Sequence, residues 1–241
     1  NEVEHLQVSR KGPADFVTQA DLTCEATLRE ELSRLRPEYG FITEEGENVP
    51  AKDGEHYWVI DPLDGTTNFL HGLPHFAISI AIKTGKEITA GLVLDPVKDE
   101  MFWAEKGGGA FVNTRRLRVS SRTRMADSIF ATGIPFMGKK DHGRFLKELE
   151  RFMEVSAGVR RYGAASLDLC YVAAARYDGY WERDLEEWDI AAGIIIAREA
   201  GALVSQIDGG EKMLEKGDIL ASNPGVNSGM MEIFRELRLG R

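Results

Sequence analysis

Trp58-Val59-Ile60-Asp61-Pro62-Leu63-Asp64-Gly65-Thr66-Thr67-Asn68-Phe69 passes from an apolar run through an acidic turn to the start of a helix. Tyr57 to Ile60 reads as a buried strand that delivers Asp61 at its end. Pro62 has no N–H to donate and is expected to end the ladder there. Asp64-Gly65 makes a turn, and Thr66 and Thr67 suit a helix N-terminus. Unpaired N–H groups at such a terminus attract phosphate, and two carboxylates three residues apart attract hard cations. A plain Asp-Gly turn with a threonine cap would account for part of this run. The proline between the acids and the two hydroxyls after the glycine favour a place where a metal and a phosphate meet.

Before this run, Ala20 to Leu35 has helical periodicity, with Asp21, Leu28, Leu32 and Leu35 on one stripe. Pro37 stops it, and Phe41 to Thr43 is a short strand. After the run, Phe76 to Ile82, Gly91 to Leu94, Glu100 to Glu105 and Ala110 to Val112 are strand signals joined by short turns, which predicts antiparallel pairing. Lys106-Gly107-Gly108-Gly109 reads as a hairpin tip rather than a phosphate cradle, because no helix follows it. Beyond about residue 125 strands and helices alternate. Strands are expected at Ile129 to Ala131, Gly179 to Glu182, Ala202 to Ser205 and Ile219 to Ala221. Helices are expected at Lys139 to Glu154, Ser166 to Ala175, Asp189 to Ala200 and Val226 to Leu237. This predicts an α/β chain in two halves, 1–124 antiparallel and 125–241 layered, which together make one catalytic unit.

Further acids sit at element ends. Asp189 opens a helix that is apolar nearly all round, where an acid serves either as a cap or as a cation ligand beside a strand-end carboxylate. Glu44 and Glu45 end the strand Phe41 to Thr43. Asp21 continues an inward-facing stripe, where an unpartnered carboxylate is costly to bury. Carboxylates without histidine or cysteine select Mg²⁺ or Mn²⁺ over Zn²⁺. The five histidines lie apart from any HxxxH spacing and read as surface or packing residues.

The chain has 241 residues and a net charge of −9, a poor match to a nucleic-acid backbone binder. No direct nucleic-acid contact is expected. No apolar run is long enough to span a membrane, and no signal peptide is visible. Cys24 and Cys170 lie outside metal-ligand spacings and fit a reducing compartment, so a cytoplasmic place is expected. There is no P-loop and no GxSxG elbow.

These motifs resemble the inositol monophosphatase family, and its bacterial branch in particular. Asp61 to Phe69 resembles the family's first signature and Trp188-Asp189-Ile190-Ala191-Ala192-Gly193 its second. Asp15-Phe16-Val17-Thr18-Gln19-Ala20-Asp21 and Thr43-Glu44-Glu45 resemble its flanking elements, and Arg160 to Leu169 resembles the bacterial branch. The resemblance implies an α-β-α-β-α sandwich like fructose-1,6-bisphosphatase, a homodimer, and two or three Mg²⁺ ions with Mn²⁺ as an alternative. It implies that Glu44, Asp61 and the Leu63 carbonyl hold a first metal and that Asp61, Asp64 and Asp189 hold a second. Thr66 and Asp21 would orient the attacking water. Gly65 and Thr66 would grip the phosphate through their N–H groups. Asp64, Ala165, Glu182 and Asp189 would meet the substrate. The expected reaction is hydrolysis of inositol monophosphate or a similar small phosphate monoester, with lithium inhibition. Fructose-1,6-bisphosphatase or another sugar or histidinol phosphatase of the same superfamily is the alternative, as is an added non-catalytic role with the transcription machinery in antitermination. Gly46 stands where relatives commonly have serine. Glu186 and Glu187 replace neutral or basic residues.

Overall fold

The structure, a computed structural model, describes residues 8–12 and 15–239. An antiparallel pair, β1 (Val8–Gly12) and β2 (Asp15–Thr18), leads into α1 (Gln19–Leu35). Thr18 caps α1. Its hydroxyl accepts from the Ala20 N–H at 3.0 Å, and its own N–H donates to the Asp21 carboxylate at 2.8 Å. This reciprocal box pins the first turn.

Seven strands then form one sheet in chain order: β3 (Gly40–Thr43), β4 (His56–Asp64), β5 (Ala77–Thr84), β6 (Glu87–Asp95), β7 (Glu100–Glu105), β8 (Gly109–Val112) and β9 (Arg115–Arg116). β3 runs parallel to β4, and every later neighbour is antiparallel, as expected. A second sheet has β10 (Ile129–Thr132), β11 (Gly158–Arg160), β12 (Gly179–Glu182), β13 (Leu203–Ser205) and β14 (Ile219–Ser222), in the order β11-β10-β12-β14-β13. The remaining helices are α2 (Thr66–Leu70), α3 (His142–Val155), α4 (Ala165–Ala173), α5 (Glu187–Glu199), α6 (Met213–Lys216) and α7 (Pro224–Arg238).

Strand alternation sorts these elements into layers. On β4, Trp58 and Ile60 pack with Leu28 and Leu32 of α1. Val59 faces the other way, into the large core that holds α4 and α5. The second sheet repeats the division. Tyr180 of β12 joins that same core, while Trp181 packs with Phe152 of α3 and Phe234 of α7. The order is therefore α1, first sheet, α4 with α5, second sheet, α3 with α7. All nine residues of α4 are buried, as is the run Ile190–Ala197 of α5. Helices covered on both faces must be apolar all round. Two glycines let the middle layer close. A Cβ at Gly193 would stand 2.5 Å from Leu169, and one at Gly91 would stand 2.8 Å from the Ala192 carbonyl.

Three local expectations are corrected. β4 does not stop at Asp61. It continues through Pro62 to Asp64, and the proline is absorbed where pairing slips between Asp61↔Ser79 and Asp64↔Ala77. Asp189 does not open α5. Glu186 is the N-cap and Asp189 is its capping-box partner one turn in, accepting the Glu186 N–H at 2.8 Å. The α1 stripe packs Leu28 and Leu32 on the first sheet but does not extend to its end. Its buried residues are Asp21 and Glu25, and Leu35 is exposed. Cys24 is half-buried and Cys170 is buried, and both are free thiols. His56 stacks on Tyr39 and His75 packs against Tyr162 and Tyr171, while His5 lies outside the described residues.

Candidate active site

The alternation that builds the layers also gathers the acids. Asp61 follows Val59 by two residues, so it faces the middle helices from the first sheet. Glu182 follows Tyr180 by two and faces them from the second. Asp189 stands in the first turn of α5, between the sheets. The Asp61 carboxylate accepts the Leu63 N–H at 2.9 Å. Between Asp61 and Asp64 the strand has one residue more than its partner, and such a bulge re-aims the next side chain. Asp64 is turned onto the start of α4, where it accepts the Ser166 N–H at 2.8 Å and the Ser166 hydroxyl at 2.5 Å. Gly65 then takes φ +93°, a conformation that requires glycine, and α2 begins. The Thr66 hydroxyl lies 3.1 Å from the Leu63 carbonyl and 3.3 Å from the Asp21 carboxylate, either of which it can donate to.

These carboxylates disturb one another. Burial pushes Asp61 well above the usual carboxylate range, and Glu44, Asp64 and Asp189 push it further. Burial raises Asp64 to about 6 against the opposing hydrogen bonds of Ser166 and Ala165 and the charge of Arg161. Asp189 is raised by burial and by Asp64, Glu44 and Glu182, although the Glu186 N–H opposes this. Burial raises Glu182 to about 7, countered by the Tyr180 hydroxyl, which donates to it at 2.6 Å. Asp61, Asp189 and Glu182 are each raised by neighbouring acids as well as by burial, and such a field favours a cation. Their donor set is all oxygen, which fits Mg²⁺ or Mn²⁺. Among the described residues no three histidine, cysteine or acidic side chains converge tightly enough to hold an ion as they stand.

The fold thus brings Asp21 to Thr66, Asp64 to the Ala165–Ser166 turn, and Glu44, Asp61 and Asp189 into one field. A cavity of about 180 Å³ opens beside Glu182 and Asp189, with Lys139, Arg144 and Phe136 in its walls. Glu44, Asp61 and Asp64 lie outside that lining. Ser166, Tyr180, Arg161 and Asp168 were not singled out from the sequence. Asp168 is buried, neither of its carboxylate oxygens has a hydrogen-bond partner among the described residues, and burial, Glu182 and Asp64 raise it. An acid inside a helix as apolar as α4 was the signal available for it.

Acids delivered from two sheets onto a buried middle layer, beside a threonine-bearing helix start, define a layered α/β phosphoric monoester hydrolase. The inositol monophosphatase family model matches residues 1–238, and the chain belongs to that family. It is 53% identical to an inositol-1-monophosphatase of Rhizobium meliloti over 97% of this chain and 88% of the relative. It is 43% identical to the Nus factor SuhB of Vibrio cholerae, over 97% and 87%. The crystal structure of the extragenic suppressor protein SuhB from Bartonella henselae superposes with a TM-score of 0.95 at 48% identity, covering 98% of this chain and 90% of that one.

Proposed function

We propose that the protein is a Mg²⁺-dependent phosphatase that hydrolyses inositol monophosphate or a similarly small polyol phosphate. The observation that carries this reading is the convergence of Glu44, Asp64 and Asp189 on the buried Asp61, next to the Thr66–Asp21 pair. Glu44, Asp61 and the Leu63 carbonyl would hold one cation, and Asp61, Asp64 and Asp189 a second. Bound there, divalent cations would supply charge neutralisation and lower the pKa of a water.

The chain's own groups do the positioning. Asp21 accepts the Thr66 hydroxyl proton, which leaves a Thr66 lone pair to orient a water toward phosphorus. The Gly65 and Thr66 N–H groups face the phosphate at the start of α2. Ser166 fixes one Asp64 oxygen and leaves the other for a cation or a substrate hydroxyl. Ala165 and Glu182 meet the polyol, with Tyr180 holding the Glu182 rotamer. The halves 1–124 and 125–241 act as one catalytic unit, because Asp61 and Asp189 come from different halves. Homodimerisation, a cytoplasmic place of work and lithium inhibition belong to the same reading. In the described residues no helix is long and apolar enough to cross a membrane. The test is phosphate release from a panel of polyol, sugar and nucleotide phosphates, with Mg²⁺, Mn²⁺, Zn²⁺ or excess chelator. Full activity in chelator would sink this reading.

The relative named Nus factor SuhB supports a second reading, a non-catalytic contact with the transcription machinery beside catalysis. Pull-down with purified RNA polymerase separates it from catalysis. Asp61→Asn is expected to retain the contact if the two roles are independent.

A further inference from the structure

The two buried residues of α1 are Asp21 and Glu25, both acids and one helical turn apart. Asp21 is accounted for by Thr18 and Thr66. For Glu25 as well, burying a carboxylate is costly unless its bonds are made. They are made with the turn that follows β3. One Glu25 oxygen accepts from Arg29 Nε at 2.8 Å and from the Thr43 hydroxyl at 3.0 Å, and the other accepts the Glu45 N–H at 2.9 Å. Arg29 extends the same grip. Its Nη2 donates to Thr43 Oγ1 and, at 2.8 Å, to the Glu47 carbonyl. The Glu44 N–H is tied to the Ile60 carbonyl of β4 at 3.3 Å. The Thr43–Glu47 turn is therefore held by α1 on one side and by β4 on the other, with Glu44 between them.

Gly46 shows how closely this clasp fits. A Cβ there would stand 2.4 Å from Glu25 Oε1 and 2.6 Å from Arg29 Nη2. Glycine at this position leaves room for the guanidinium.

We propose that Glu25 and Arg29, closed over Gly46, are positioning residues that set the affinity of the Glu44 site for a divalent cation by fixing the turn that carries Glu44. Through Asp21 and Glu25, α1 then orders two parts of the centre at once, the Thr66 hydroxyl and the Glu44 carboxylate. The inference rests on the reading of Glu44 as a metal ligand, and the experiment tests the two separately.

Calorimetric titration of Mn²⁺ and Mg²⁺ into the full-length protein gives a readout independent of turnover, with Glu44→Gln as the reference. Loss of an outer hydrogen-bond partner of a metal ligand weakens binding about ten- to a hundredfold. Glu25→Gln is expected to weaken the Glu44-dependent binding step by about tenfold or more, and to raise the Mg²⁺ concentration for half-activation in parallel. kcat at saturating Mg²⁺ should change much less. Arg29→Lys keeps the charge beside Glu25 but loses the fork that reaches Glu47, and should give a smaller change of the same sign. This variant keeps the test open should Glu25→Gln fold poorly. In a Glu44→Gln background, Glu25→Gln should have no further effect on metal binding. If Glu44→Gln weakens binding while Glu25→Gln and Arg29→Lys only lower the melting temperature, the positioning role is overturned. If Glu44→Gln itself leaves binding unchanged, the metal assignment falls and this inference falls with it.

Discussion

A carboxylate as deeply buried as that of Asp61 is costly to ionise unless positive charge meets it. Its neighbours Glu44, Asp64 and Asp189 add to that cost. Asp61→Asn removes charge from both proposed cation sites while keeping the side-chain shape. Turnover is expected to fall by well over tenfold, about 1.4 kcal/mol of barrier for each decade. Melting temperature in chelator should hold or rise, because a buried acid that three neighbouring acids repel is gone. A variant with more than about a tenth of wild-type kcat would place the metal centre elsewhere. Glu182 faces the core from β12 and takes the Tyr180 hydroxyl. Glu182→Gln should therefore leave the cations bound and weaken polyol handling. A hydrogen bond to a charged group is worth about 1.5–3 kcal/mol, so kcat/KM for inositol 1-phosphate should fall about ten- to a hundredfold. An aryl phosphate, which offers no hydroxyls, should lose little. Equal small losses on both substrates would make Glu182 a structural acid only. Asp61 and Asp64 could be read from the sequence because proline and glycine punctuate the run around them. Ser166 could not, since its role depends on a partner that only the folded chain supplies. Ser166 meets an acid 102 positions away.

The element that ties the residues together is α5, which carries Asp189 into the centre and lies across the first sheet. Its seat is Gly91 on β6, where any Cβ would meet Ile195 at 2.6 Å and the Ala192 carbonyl at 2.8 Å. Backbone atoms cannot give way as a side-chain tip can, so Gly91→Ala must lift the helix. Overpacking of this kind costs about 1–3 kcal/mol, measurable as a lower urea midpoint with an unchanged slope. Because the lift moves Asp189, metal affinity should fall as well. An alanine variant as stable as the wild type would show that α5 is not seated there. The far end of α5 is tied down by the hairpin tip, whose Gly107 and Gly109 N–H groups both donate to Glu199 at 2.8 Å. Periodicity revealed α1, α5 and most strands. It failed where tertiary pairing overrides a local rule, at Pro62 inside β4 and at Asp189 inside the first turn of α5. It also passed over β11 and α6, which are too short to carry a period.

At the scale of the whole molecule, the alternation of strands and helices indicated an α/β chain, whereas the five-layer order came from resemblance. Which strand lies beside which in the second sheet depends on pairings distant in sequence, and no local pattern encodes those. The layering has a thermodynamic consequence, because it turns acids from both sheets toward the acids of the middle helices. Asp64 is raised to about 6 and Glu182 to about 7, and Asp61, Asp168 and Asp189 are also raised. Each of these groups holds a proton in the folded state at pH values where the unfolded chain has released it. Their contribution to stability is therefore greatest below the unfolded carboxylate range, near pH 4, and is lost as pH rises through the folded values. His75 acts in the opposite sense. Burial lowers it to about 4, so its contribution is present above pH 6.5 and is lost as pH falls. Five acids outweigh one imidazole between pH 5 and 7. In chelator, the melting temperature should fall across that window, at about 2–4 °C for each kcal/mol lost. A divalent cation favours the deprotonated acids, so the gain on adding Mg²⁺ should grow with pH over the same range. Differential scanning fluorimetry at pH 5, 6, 7 and 8, with Mg²⁺ and with chelator, measures both trends. A chelator curve flat in pH, with a Mg²⁺ gain that does not change with pH, would mean that the buried acids neither repel one another nor meet the cation.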